Sequence, residues 1–116
     1  INLQNSKMKQ TLKFEIELDE NQLPLNIEMH ASDGEKNEKN IKALMLSAWA
    51  AKTKETLRID LWTKDMPVNE MFVMYHQTMM GMAATLERAT GYDKLAGALR
   101  DYSEFFAEET KIKETK

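Results

Sequence analysis

The chain has 116 residues, 42% hydrophobic and 30% charged, enough for one globular core and too structured a composition for a disordered polyelectrolyte. Its net charge of −3, with acidic and basic residues interspersed, argues against nucleic-acid binding, which needs a basic stripe. Cysteine is absent, which excludes thiol chemistry and cysteine metal sites and fits a reducing, cytoplasmic setting.

No stretch approaches the roughly 20 apolar residues of a membrane span, so direct membrane insertion is not expected. Residues 1–7 are polar and lack a signal-peptide core. They read as an N-terminal extension or an expression remnant ahead of Met8, with a single α+β domain over 8–112 and a frayed tail at 113–116.

The first element is a strand within 8–18. Leu12, Phe14, Ile16 and Leu18 share one face, while Lys13, Glu15 and Glu17 share the other. Asp19, Glu20, Asn21 and Gln22 form a polar turn before Pro24. Leu25, Ile27 and Met29 then alternate with Asn26, Glu28 and His30, giving a second strand and a hairpin. Residues 32–40 carry no apolar side chain and include the turn dipeptide Asp33-Gly34, so an exposed loop is expected.

Residues 41–51 admit two readings. Ile41, Leu44, Met45, Ala48 and Trp49 fit helical spacing, but the run is short and a four-residue polar link joins it to a clear strand. A central strand buried on both faces loses its alternation, and the strand reading is preferred. Residues 56–62 form the next strand, with Leu57, Ile59 and Leu61 toward the core and Arg58, Asp60 and Trp62 away from it. Thr63, Asp65 and Pro67 mark a helix start.

Helix one is expected to run to about Ala89 with Val68, Met71, Phe72, Tyr75, Met79, Met82, Ala83 and Leu86 on its apolar stripe. Gly91 suits its C-terminal cap. Helix two follows over 93–110 with a stripe of Leu95, Ala96, Leu99, Tyr102, Phe105 and Phe106. The predicted fold is α+β: a four-stranded antiparallel meander, then a two-helix hairpin packed on one sheet face, ββββαα.

Chemistry-bearing motifs are missing. There is no GxGxxG, P-loop, GxSxG or HExxH, and only four glycines are present to build a phosphate cradle. Ser47 and Ser103 lack a neighbouring base motif, and Glu104, Glu108 and Glu109 read as the solvated face of helix two. The two histidines, His30 and His76, read as satisfied structural residues. No catalytic residue, metal ligand or cofactor is predicted, and the chain is expected not to be an enzyme.

Two surfaces stand out instead. If 41–51 is a strand in hairpin register, Met45, Ser47 and Trp49 lie across from Arg58, Asp60 and Trp62. Trp and Arg are enriched at interface hot spots, so Trp49, Arg58, Asp60 and Trp62 are the predicted partner-binding set. A purely stabilising cross-strand ladder is the plainer reading of the same residues. Of nine methionines, Met71, Met79 and Met82 fall on the core stripe of helix one. Met74 and Met80 fall off it, and with Gly81 and Ala84 they mark a surface for self-association as a homodimer.

Three stretches carry a family resemblance. They are ELDENQLPLNI (17–27), KETLRIDLWTKDMPVNEM (54–71) and LERATGYDKLAGALRDYSEFFAE (86–108), with YHQT (75–78) just before the last. Together they resemble the gliding-motility-associated GldC family. The resemblance implies a cytoplasmic accessory protein of the gliding machinery, and it brings no catalytic residues. The chain departs from the family pattern in VMYHQT (73–78), richer in Met, and in SAWAAKT (47–53), which lacks an acidic residue after Trp49. The expected role is a non-catalytic protein–protein interaction module whose partner is a gliding-machinery or envelope protein. The alternatives are a small-ligand binder or enzyme, with a pocket between sheet and helices lined by Met residues and His76, and a purely structural homodimer.

Overall fold

The computed structural model describes residues 8–112; the proposed extension 1–7 and tail 113–116 lie outside the described residues. The chain falls into two compact units that divide between Met66 and Pro67. The first contains five strands: β1 (Leu12–Leu18), β2 (Pro24–Ala31), β3 (Glu38–Ile41), β4 (Ala43–Ala50) and β5 (Glu55–Trp62). The second contains two helices, α1 (Val68–Thr90) and α2 (Asp93–Thr110). The fold is α+β, with strands preceding helices as expected.

The four-stranded meander is corrected to five strands in two antiparallel sheets, β1-β2-β3 and β4-β5. The difference lies at Lys42, which separates β4, the expected third strand, from a short β3 formed by Ile41 and the end of the expected loop. β3 pairs with β2, placing Ile41 opposite Ile27, and β4 pairs with β5. Lys42 accepts a hydrogen bond at its carbonyl from the Thr63 N–H (2.8 Å). Its ammonium reaches Asn26 Oδ1 (3.4 Å) and Asp65 Oδ2 (3.5 Å). Polar bonds to two segments, β2 at Asn26 and the stretch after β5 at Thr63 and Asp65, thus hold the chain where it leaves one sheet for the other. The Lys64 N–H also donates to the Pro24 carbonyl (3.1 Å), tying the end of β5 to the start of β2.

Residues 32–40 are not wholly a loop, because Glu38–Ile41 adds a short third strand beside β2. The turn at Asp33-Gly34 does form, with Gly34 at φ 77°, a left-handed conformation that favours glycine. The β1–β2 turn is organised by Asp19. Its Oδ1 accepts the N–H groups of Asn21 (2.8 Å) and Leu23 (2.9 Å), and its Oδ2 pairs with Lys64 Nζ (2.9 Å). The Lys64 ammonium, then the Leu23 N–H, hold the Asp19 carboxyl below the usual carboxylate range.

Residues 41–50 are strand rather than helix, apart from the break at Lys42, and Ala51 begins the turn to β5. The core of this unit is thin, with Ile27 and Thr63 fully buried. Leu57 and Ile59, expected to face a core, are 58% and 50% exposed.

Asp65 does not cap α1. It accepts a hydrogen bond from the Thr63 hydroxyl (2.7 Å), and Pro67 occupies the N-cap without a side-chain bond. That hydroxyl is the main reason the Asp65 carboxyl is lowered, opposed by desolvation and aided by Lys42. Gly91 ends α1 as expected at φ 70°, its N–H donating to the Glu87 carbonyl (2.8 Å). The two helices form a hairpin with fully buried Ala83, Ala96, Ser103 and Ala107 along its seam. Phe106 meets Phe72 edge-on (5.8 Å) and stacks with Tyr75 (6.1 Å), and Arg100 pairs with Glu87 (2.6 Å).

Candidate functional site

The β4–β5 register is what places the predicted binding set. Ala43 lies opposite Trp62, Met45 opposite Asp60, Ser47 opposite Arg58 and Trp49 opposite Thr56. Side chains of directly opposed residues share a sheet face. Trp49, Arg58, Asp60 and Trp62 therefore lie on one face, with Met45 and Ser47 between them. Leu44, Leu46, Leu57, Ile59 and Leu61 line the other.

The face is open. Trp49 is 66% exposed and Trp62 55%. They stand at opposite ends of it, six positions apart along the ladder, which is about 20 Å at the usual rise. The middle is charged: Arg58 Nη2 donates to Asp60 Oδ2 at 2.9 Å. The guanidinium is thus committed to a carboxylate, and the face presents two indoles flanking an ion pair. Such a face can grip an apolar group at either end and read polarity at the centre.

The self-association set is more scattered. Gly81 is exposed and lines an apolar groove of about 640 Å³ beside α1, together with Thr78, Met82, Thr85, Leu86 and Leu99. Met74, Met80 and Ala84 are half-buried and do not line it. Nor does His76. Its Nε2 is buried with no hydrogen-bond partner among the described residues, so the expectation of a satisfied histidine does not hold at this atom.

A cluster on the β1–β2 hairpin escapes linear reading. Glu15 lies opposite Glu28, and His30 Nε2 sits 3.1 Å from Glu15 Oε1 and 3.2 Å from Glu28 Oε1. These are the residues, among those described, whose ligand-type atoms gather within 4.8 Å, so they are where a metal could be held. An Nε2–H between the two carboxylates bonds them directly, and Lys13 Nζ adds a cation 3.8 Å from Glu15. The trio closes on itself without an ion. Its signal was the shared parity of 13, 15, 28 and 30 in a hairpin, which spacing along one strand does not reveal.

Among the described residues, no helix is long and apolar enough to cross a membrane. No curated protein and no solved structure matches the chain. The model of the family described as gliding motility-associated protein GldC-like matches residues 24–112. That span covers well over half of the chain and includes β2 through α2, so the chain belongs to this family.

Proposed function

We propose that this member of the GldC-like family is a non-catalytic, cytoplasmic accessory protein of the gliding machinery that works as a protein–protein docking module. The observation that carries the reading is the open face of β4–β5, where Trp49 and Trp62 flank the Arg58–Asp60 pair. Two exposed indoles at opposite ends of one sheet face supply separate apolar anchors around a polar centre. Trp and Arg supply much of the binding energy where such surfaces are used. The partner is a gliding-machinery or envelope component that offers apolar groups about 20 Å apart around a polar centre.

A native-extract pull-down with mass spectrometry tests this, comparing wild type with a folded Trp49→Ala/Trp62→Ala variant. Retention of a gliding or envelope component by wild type, and its loss in the variant, supports the docking face. Equal retention by both chains removes this face from the binding site. A second reading, small-ligand binding, is favoured by His76 Nε2, without a partner among the described residues, and separately by the apolar groove along α1. A metabolite that binds the folded state would reveal itself by raising the melting temperature in a ligand screen.

A further inference from the structure

We propose that the outer edge of β5 pairs with the same edge of a second copy, antiparallel about Ile59, to make a four-stranded sheet β4-β5-β5-β4. This goes beyond the docking face, because it uses the strand's edge and needs no other protein.

β5 is hydrogen-bonded to β4 on one side, and among the described residues no strand pairs with its other side. Exposed edges are normally blunted by Lys, Pro, shortness or a bulge. β5 carries no Lys, Pro or bulge; it is eight residues, Glu-Thr-Leu-Arg-Ile-Asp-Leu-Trp, in unbroken register with β4, and its central charges, Arg58 and Asp60, are of opposite sign and so complement a two-fold copy. The outer edge of β1 differs on both counts. Its ladder shifts register at Glu17/Leu18, and Lys13, Glu15 and Glu17, with Glu28 alongside, leave a net acidic face that repels its own copy.

The backbone of β5 is in phase for self-pairing. The Thr63 N–H bonds the Lys42 carbonyl, so odd-numbered residues of β5 turn their N–H and C=O groups toward β4. Those of Thr56, Arg58, Asp60 and Trp62 turn to the open edge. A two-fold axis at Ile59 brings Arg58 and Asp60 of one copy opposite Asp60 and Arg58 of the other. Both are hydrogen-bonded pairs, and Ile59 meets its own copy in the closer, non-bonded pairing.

Charge selects this register. A two-residue slip one way sets Arg58 against Arg58, and a slip the other way sets Asp60 against Asp60. Like charges directly opposite destabilise a ladder, whereas opposite charges support it. A one-residue slip puts the apolar Leu57, Ile59 and Leu61 beside the polar face of the second copy. In the favoured register Leu57 meets Leu61, Ile59 meets Ile59 and Trp62 meets Thr56. Leu57 and Ile59, half exposed in the single chain, gain apolar neighbours. The intrachain Arg58–Asp60 bond becomes part of a four-charge cluster of alternating sign.

Sedimentation of the full chain across the micromolar range tests the register. Wild type should dimerise, and R58D and D60R alone should each weaken association by about ten-fold or more, because each converts two attractive pairs into two repulsive ones. An equimolar mixture of R58D and D60R should restore it. In the mixed dimer both cross-strand pairs are again complementary, while within each chain positions 58 and 60 still repel. Circular dichroism establishes that the variants fold. Should either be unfolded, the doubly reversed R58D/D60R chain provides the readout and must dimerise like wild type. A wild type that stays monomeric overturns the proposal. So does a dimer indifferent to both single changes, or one that neither the mixture nor the doubly reversed chain restores.

Discussion

Asp19 shows how much one side chain organises here. It closes the β1–β2 turn through two backbone N–H groups and reaches Lys64, 45 residues along the chain. These contacts favour the carboxylate, so its pKa is lower folded than unfolded. A lowered carboxyl adds stability that is present above the unfolded value, about 3.9, and is lost as pH falls through the folded value. Asp19→Asn keeps an oxygen to accept the turn's N–H groups but removes the charge. Urea denaturation should therefore show wild type more stable than the variant at neutral pH. The gap should close steadily below about pH 4 and be absent in strong acid. A gap that persists unchanged to the lowest pH would mean that the Lys64 pair contributes nothing. Asp65 has the same sign, so the variant should keep some acid sensitivity of its own.

At the scale of elements, the helix hairpin depends on small residues. Ala83, Ala96, Ser103 and Ala107 are fully buried, and they let α1 and α2 approach closely. Ala96→Leu forces extra carbons into that seam and should cost about 1–3 kcal/mol in urea denaturation. Ala98→Leu, two positions on and exposed, should change stability by less than about 0.5 kcal/mol. Equal effects would show that the seam is not the packed interface. What was legible in the sequence follows the range of each signal. β1, β2, β5, the Gly91 cap and both helices are written in local periodicity and turn residues. The shared face of Trp49, Arg58, Asp60 and Trp62 was legible too, since a short link between two strands lets parity assign them to one side. β3 was not, because Glu38, Lys39 and Asn40 have no apolar alternation and become strand by pairing with β2. The break at Lys42 depends on Thr63, Asn26 and Asp65, all remote in sequence. The Glu15–Glu28–His30 trio likewise needs the register of a hairpin.

For the whole molecule, self-pairing through β5 carries a thermodynamic consequence that single-chain contacts do not. If folded chains associate and unfolded chains do not, stability rises with protein concentration by mass action. Each ten-fold increase adds about 1.4 kcal/mol per dimer, or about 0.7 per protomer. For a domain of this size that corresponds to roughly 2–5 °C in the melting temperature. The R58D chain, with its edge set against itself, should melt at a temperature nearly independent of concentration over the same range. Mixing it with D60R should bring the dependence back, since only the mixture offers complementary pairs at both 58–60 contacts. Contacts within one chain, however strong, give no such dependence. A wild-type melting temperature that stays flat over two decades of concentration would therefore place the stability of both units within the single chain, and leave the β5 edge open for a different strand.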